Sequence, residues 1–330
     1  MKALALFSGG LDSMLAIKLI TDQGVKVTAL HFDTGFGPDS DKFSVLDRRA
    51  RLVGADFKVV DIRNEYLHDV LFSPKYGYGK QFNPCIDCHG YMFYVALNML
   101  KSENADFIIS GEVLGQRPMS QRREALSQVR KLANDADDLV VRPMCAKLLA
   151  PTKPEREGWI DREKLLDISG RDRKPQLALA RQWGIEDYAT PGGGCLLTID
   201  SFAVKIRDYL KFDKDMRKID VTWLKLGRHL RLKNGAKLII GRDEADNNAL
   251  EENPNDKFNA IEFNEKDDIV GARSFLSINA DNDDKEFAAR LALAYTKAPK
   301  DKLYEVKIGD EILNVMPFED KSLAQVFFVK

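Results

Sequence analysis

Six residues near the amino terminus constrain this chain more than any others: Ser8-Gly9-Gly10-Leu11-Asp12-Ser13 follow directly on a short apolar run, Ala3 to Phe7. A run of that length reads as a strand buried on both faces, and Met14 to Ile20 beyond the loop carries helical spacing. Small residues at 8, 9 and 10 let the backbone approach an anion closely, and the following helix aims its first N–H groups and positive dipole end at it. Ser8 and Ser13 add hydroxyl donors. Asp12, itself an anion, has two roles open to it: holding Mg²⁺ or capping local N–H groups. The loop lacks the Gly-Lys-Ser/Thr ending of a Walker loop and the Gly-x-Gly-x-x-Gly of a dinucleotide fold, so neither kinase-type nor nicotinamide chemistry fits.

The strand, loop and helix recur. Lys26 to Phe32 reads as a second strand, Phe43 to Val53 as a helix and Asp56 to Ile62 as a third strand. A helix from Tyr91 to Lys101 leads to a further strand, Asp106 to Ser110, which ends on Gly111-Glu112. This alternation predicts an α/β fold with a doubly wound, mostly parallel sheet. The strand ends at Ser8, Phe32 and Ser110 then share one edge, where ligands of such sheets bind. Composition shifts towards proline and charge from Pro143 to Pro175, and Leu177 to Trp183 reads as a short helix before Pro191 and the Gly192-Gly193-Gly194 turn. After Asp200 the pattern changes again: a helix near Phe202 to Phe212, then β-like runs Val221 to Leu232 and Ala236 to Gly241 around Asn234-Gly235, a hairpin signal. A helix at Glu286 to Lys297 and strands at Tyr304 to Ile308 and Gln325 to Val329 complete it. We expect two domains, residues 1–200 for nucleotide binding and 201–330 as a smaller α+β domain, with no internal repeat.

The formal net charge of -1 over 330 residues hides basic clusters at Arg122, Arg123, Arg130 and Lys131, from Arg171 to Lys174, and from Lys205 to Lys237. Global neutrality therefore leaves a nucleic-acid partner open. The apolar run at the amino terminus is too short for a signal-peptide core or a membrane span, so a cytoplasmic protein with no membrane partner is expected. Four cysteines in a chain of this size do not make a disulfide scaffold. Cys85-Ile86-Asp87-Cys88, read as lying before a helix, and the distant Cys195 form a candidate metal set. Three thiolates can hold an iron-sulfur cluster such as [4Fe-4S] and leave one iron open to an exogenous ligand. Two alternatives stand beside it: a Cys88/Cys195 or Cys85/Cys195 pair working by persulfide and disulfide, or zinc completed by His89. Cys145 reads as a small buried hydrophobe. Trp223 and Phe275 read as core, His68 and His229 as structural.

Ser8 to Ser13 resembles the SGGxDS signature of PP-loop ATP pyrophosphatases, in which ATP adenylates a substrate oxygen and releases pyrophosphate. The resemblance covers about the first 200 residues and implies an adenine nucleotide alpha hydrolase-like fold, with ATP and Mg²⁺ at Ser8, Gly9, Gly10, Asp12 and Ser13. His31-Phe32-Asp33 lies where that family holds adenine, which implies a role for Asp33. The cysteine pair with one distant cysteine resembles the cluster-dependent tRNA thiolation enzymes of the class. Gly111-Glu112-Val113-Leu114-Gly115-Gln116 followed by Ser120-Gln121 resembles the corresponding strip of 4-thiouridine tRNA sulfurtransferases and implies Gly111 and Gln116 in the ATP site. This chain departs from that strip by carrying Arg117-Pro118-Met119 between the halves and Arg122-Arg123 after them, and neither a THUMP-type front end nor a rhodanese tail is expected.

RNA capture then falls to the second domain. Leu226 to Leu232 with Lys233 and Lys237, then Ile239-Ile240-Gly241-Arg242-Asp243 and Asn247-Asn248, reads as a basic hairpin suited to phosphate contacts. Gly241-Arg242 and Asn247 echo the NFACT-R (DUF814) RNA-associated module. The expectation is an ATP-dependent tRNA sulfurtransferase: Asp12 serves the ATP chemistry, Cys195 carries sulfur with Cys85 and Cys88, and a cysteine desulfurase or sulfide is the donor. A PP-loop ligase or synthetase acting on a small molecule, and a non-modifying RNA-binding factor, are the competing readings.

Overall fold

The computed structural model describes residues 1–37, 43–189 and 194–330. Pro191 and Gly192-Gly193 lie outside the described residues. Contacts divide the chain into two compact units, Met1–Thr198 and Ile199–Lys330.

The first unit is a five-stranded parallel sheet with helices between its strands. In chain order it runs β1 (Lys2–Leu6), α1 (Leu11–Thr21), β2 (Lys26–Asp33), α2 (Phe43–Leu52), β3 (Ala55–Asp61), α3 (Arg63–Tyr66), α4 (Cys85–Met99), β4 (Phe107–Ser110), α5 (Arg123–Ala133), β5 (Val140–Val141), α6 (Lys153–Arg156) and α7 (Lys174–Gln182). Strand order is β3-β2-β1-β4-β5 and every pairing is parallel. The α/β expectation therefore holds. Because side chains alternate along a strand, Ala3 and Ala5 of β1 join one core with α1, α2 and α7, while the fully buried Leu4 faces the side where α4 packs with α5. Helix α1 is buried nearly all round, as a helix between the sheet and α7 must be. Strand order reverses between β1 and β4, so the crevice beyond their carboxyl ends is where such a sheet holds its ligand. Ser8 to Ser13 and Gly111 are the residues at those two ends.

Helix α4 begins at Cys85, six residues before the predicted Tyr91. Pro84 precedes it, as suits a position just outside a first turn. Both cysteines of the pair therefore belong to the first turn of a helix.

The second unit is an antiparallel six-stranded sheet with helices, an α+β fold as expected. It comprises α8 (Asp200–Phe212), α9 (Lys218–Lys225), β6 (Arg228–Arg231), β7 (Lys237–Ile240), α10 (Glu244–Glu252), β8 (Phe258–Phe263), β9 (Ser274–Ser277), α11 (Asn282–Ala294), β10 (Tyr304–Ile308) and β11 (Glu311–Val315), in the order β11-β10-β8-β9-β7-β6. The Asn234-Gly235 hairpin forms, and Asp284 of α11 accepts from Asn234 N–H at 3.3 Å and Ala236 N–H at 3.0 Å to hold its turn. Two readings need correction. The first half of the run from Val221 is helix α9, whose start is tied by Asp220 accepting from the Arg217 N–H at 2.9 Å. Gln325 to Val329 is no strand: Lys321–Val326 is a 3₁₀ turn capped by Asp320, and Phe328 makes only an isolated bridge to Leu230.

Candidate functional site

The loop after β1 turns on Gly9, whose φ of +69° is left-handed and suits glycine. Gly10 stands at the N-cap of α1 with extended backbone and no side chain capping it, so the first-turn N–H groups of α1 are left for an external anion. Ser8 Oγ and Gly10 N–H stand 3.4 Å apart, and the Ser13 hydroxyl donates to Gly10 O at 2.8 Å. Gly111, at the end of β4, lies against this turn so closely that a Cβ would fall 2.5 Å from Ser13 N and 2.6 Å from Asp12 C. Only glycine lets β4 and α1 meet there.

That approach brings the strip after β4 onto Asp12. Gln116 Nε2 donates to Asp12 Oδ2 at 2.6 Å, Gln176 Nε2 of α7 donates to Gln116 Oε1 at 2.9 Å, and Arg173 reaches to 3.9 Å from Asp12 Oδ2. Asp12 Oδ1, Arg173 Nε and Gln176 Oε1 are buried with no hydrogen-bond partner. Unsatisfied buried polar atoms are expensive, and three in one cluster mark a place built for a ligand. A carboxylate oxygen suits a divalent cation, and a guanidinium N–H suits a phosphate oxygen. Sequence reasoning placed Asp12 and Gln116 here but missed Arg173 and Gln176. The signal for them was the Arg171 to Lys174 cluster just before a predicted helix.

Asp33, at the end of β2, is occupied with its own loop. Its Oδ1 accepts from Gly35 N–H at 2.8 Å and Arg63 Nε stands 3.5 Å from its Oδ2. His31 turns inward to Phe7 O at 3.2 Å, and burial lowers its pKa.

Glu112 follows Gly111 and is buried. His89 Nδ1 stands 2.8 Å from its Oε1, and Arg142 Nε, just past β5, donates to its Oε2 at 2.8 Å. Burial works to raise the Glu112 pKa, but Arg142 and His89 outweigh it and bring the carboxyl down to about 2. Because His89 is the neighbour of Cys88 on α4, this carboxylate ties the cysteine helix to the strand that carries the strip onto Asp12.

The three cysteines predicted as a set lie in one neighbourhood. Leu196 N–H donates to Phe36 O at 2.9 Å and Phe82 N–H to Leu197 O at 3.2 Å, which fastens the Cys195 segment between the loop after β2 and the loop before α4. Asp87 steadies that second loop by accepting from the N–H groups of Lys75 and Tyr76 at 2.6 and 3.0 Å. Asn83 Nδ2 donates to Cys85 Sγ at 3.1 Å. The buried hydroxyl of Tyr66 is hydrogen-bonded to Cys88, within electrostatic reach of all three sulfurs. Burial pushes the Cys88 thiol up to about 12 and the Cys195 thiol up to about 11; Cys195 and Cys85 add to the first and Cys85 to the second. Tyr66 and Asn83 are sulfur contacts that sequence reasoning missed. All four cysteines are free thiols, and among the described residues no group of three His, Cys, Asp or Glu is gathered closely enough to hold a metal ion. His89, the ligand of the zinc alternative, has Nδ1 on Glu112, which leaves Nε2 as the nitrogen a metal would take. Cys145 is fully buried and donates to Glu112 O at 3.4 Å.

The basic hairpin of the second unit is turned largely inward. Arg231 donates twice to Asp208, at 3.1 and 2.8 Å, and Lys237, buried, donates to the same carboxylate at 2.6 Å. Arg242 pairs with Asp246, and His229 is buried with Nε2 at 2.8 Å from Leu226 O. These cations hold α8, α10 and the hairpin together, which corrects the view of the whole hairpin as a phosphate-facing surface. Trp223 and Phe275 are core as expected, with ring centres 5.0 Å apart. No helix among the described residues is long and apolar enough to cross a membrane.

Two protein families match the chain: the argininosuccinate synthase N-terminal HUP domain over residues 2–76, and the NFACT protein RNA binding domain over residues 227–328. The tRNA-specific 2-thiouridylase MnmA of Petrotoga mobilis is 34% identical over 130 residues, covering 34% of this chain and 35% of the relative. The enzyme of the same name from Desulfosudis oleivorans is 31% identical over 109 residues, 32% of this chain and 30% of its own length. The chain thus spans about a third of the length of the curated relatives it matches. A solved 4-thiouridine synthetase–RNA complex with bound ATP matches 56% of this chain and 41% of its own, at 21% identity and a TM-score of 0.40.

Proposed function

From a chain that joins a HUP-class PP-loop nucleotide domain, related to the tRNA 2-thiouridylases, to an NFACT-type RNA-binding domain, we infer an ATP-dependent tRNA sulfurtransferase. The observation that carries this reading is the set of three free thiols around Tyr66, tied through His89 and Glu112 to the strand that delivers Gln116 to Asp12. A ligase acting on a small molecule has no use for that arrangement.

ATP lies with its phosphates at Ser8 to Ser13 and the first turn of α1, and Arg173 Nε supplies the buried donor for a phosphate oxygen. Asp12 Oδ1 would hold Mg²⁺, which would supply charge neutralisation for the departing pyrophosphate. Gln116 and Gln176 fix the Asp12 carboxylate, so the site is set before charge develops. The uridine carbonyl oxygen attacks the α-phosphorus and pyrophosphate leaves, which turns that oxygen into part of a good leaving group. A persulfide on Cys195, formed when its thiol takes the sulfane sulfur of a cysteine desulfurase persulfide and leaves that enzyme's thiol behind, then attacks the activated carbon through its terminal sulfur, and AMP departs. Attack of Cys85 or Cys88 on the Cys195 sulfur releases the thiocarbonyl and leaves a disulfide, which an external dithiol reduces. The three cysteines are in addition the residues that would ligate a [4Fe-4S] cluster, but no step here runs through one because their present arrangement is not that of a metal site.

The test is mass spectrometry of nucleosides in total tRNA from the host with and without the gene. Loss of one thionucleoside, restored by the intact gene and by neither Asp12→Ala nor Cys195→Ala, is expected. An unchanged thionucleoside profile would overturn the reading and favour a small-molecule synthetase.

A further inference from the structure

Of the three cations in the strands of the β6–β7 hairpin, Arg231 and Lys237 close on Asp208, while Arg228 goes elsewhere. Its guanidinium donates to Gly241 O at 2.8 Å and sits 5.6 Å from the centre of the half-buried Tyr295 ring, at the C-terminal end of α11. Lys321 Nζ, from the 3₁₀ turn near the end of the chain, stands 5.7 Å from the same ring centre. Lys300 Nζ lies 3.4 Å from Ala294 O, and its pKa is lowered by burial and by the like charge of Lys321. Arg228 and Lys321 thus meet at one aromatic ring, and Lys300 binds the carbonyl of the residue just before it. None of them has a carboxylate within ion-pair distance among the described residues, and the nearby Asp320 is turned onto the N–H and hydroxyl of Ser322.

The ring face and the carbonyl end of α11 offset part of the repulsion between these charges. An anion bound there would offset the rest. A basic cluster beside an aromatic ring is how proteins track a nucleic-acid backbone, and all four residues lie inside the RNA-binding domain.

We propose that Arg228 and Lys321 at Tyr295, with Lys300 at the adjoining carbonyl end of α11, form the phosphate-binding site through which this domain holds RNA. The proposal rests on the reading of RNA as substrate and names the surface that meets it. The hairpin contributes Arg228, and the other two cations come from residues more than 70 positions away in sequence.

The experiment is fluorescence anisotropy of the full chain with a labelled, unmodified tRNA transcript over a range of salt. Lys300→Ala/Lys321→Ala is expected to weaken binding by roughly tenfold or more near 0.1 M salt and to flatten the slope of log affinity against log salt by about 1.4, the loss of two phosphate contacts. Lys233→Ala, at the exposed hairpin tip, is expected to bind as the parent does, and thermal unfolding shows that each variant is folded. Because the two lysines carry no ion pair, their removal leaves the fold intact; should it not, Lys300→Gln and Lys321→Gln singly give half the change in slope each. Failure of the parent chain to bind the transcript removes the RNA reading itself. Binding by the parent that the double variant retains with an unchanged salt slope, or an equal loss from Lys233→Ala, overturns the site while leaving that reading in place.

Discussion

Gln116 Nε2 donates to Asp12 Oδ2 at 2.6 Å across 104 residues of sequence, and the other oxygen of that carboxylate is buried with nothing bonded to it. One oxygen is held and one is kept open. If the open oxygen serves the ATP chemistry, Asp12→Ala removes it and Gln116→Leu merely loosens it. Asp12→Ala is expected to lower ATP-dependent pyrophosphate release by at least a hundredfold with little change in melting temperature. Gln116→Leu, which removes one hydrogen bond to a charged group worth about 2 kcal/mol, is expected to lower it roughly thirtyfold. A coupled pyrophosphate assay reads both, and equal rates for parent and Asp12→Ala would remove Asp12 from the reaction.

Glu112 gives the clearest dependence on pH. Its carboxyl pKa is about 2 when folded against an ordinary 4.5, so it binds fewer protons in the folded state than in the unfolded one. The stability this provides is complete above the unfolded value and is lost as pH falls from about 4.5 towards 2. Glu112→Gln leaves Arg142 buried without its counter-charge, and is expected to cost about 3 kcal/mol at pH 7. Its deficit should shrink on acidification, because the parent gives up the same contribution. Melting temperatures of both proteins from pH 7 to pH 3 test this, and parallel curves would show that the ion pair contributes no pH-dependent stability.

What the sequence made legible was local. The Ser-Gly-Gly turn, four of the five parallel strands and the Asn234-Gly235 hairpin each follow from short-range pattern, and each forms. Helix α5 had its pattern too, with Leu126, Val129 and Ala133 buried at helical spacing. Gln116 came to the ATP site through the resemblance of its strip, but Arg173 and Gln176 were not legible, because they reach the Asp12 cluster only when α7 has docked on α1. Tyr66 shows the same limit: nothing around it in sequence points to sulfur, and only the packing of α3 beneath the cysteine loops places its hydroxyl against Cys88. The inward turn of Arg231 and Lys237 depended on Asp208, a single acid on α8. A charge run shows that cations are close in sequence, and says nothing of which carboxylates the fold brings to them.

The thiols give a kinetic expectation. With Cys88 at about 12 and Cys195 at about 11, both are almost wholly protonated at pH 8, and alkylating reagents attack the thiolate. Iodoacetamide is expected to label each on the order of a hundredfold more slowly than free cysteine, with rates still rising at pH 10. The Tyr66 hydroxyl is the group that favours the Cys88 thiolate. Tyr66→Phe should therefore slow Cys88 further while Cys195 keeps its rate. Peptide mass spectrometry over a time course reads each site. Labelling of both at the rate of free cysteine would show that neither sulfur is enclosed, and an equal slowing of both by Tyr66→Phe would show a general rearrangement.

Asp208 separates structure from recognition in the second unit. It accepts from Arg231 and from Lys237, whose buried ammonium is pushed down to about 8 by that burial, against the pull of Asp208. Asp208→Ala strands two cations, one of them fully enclosed, and is expected to destabilise this unit by about 3 kcal/mol, read by urea unfolding followed at Trp223. If Arg231 and Lys237 were RNA contacts held in check, the same change would free them and tighten binding. If their role is to fasten the hairpin to α8, affinity for a tRNA transcript measured well below the unfolding midpoint stays that of the parent. We expect loss of stability with unchanged affinity; a gain in affinity would return the hairpin to the RNA interface.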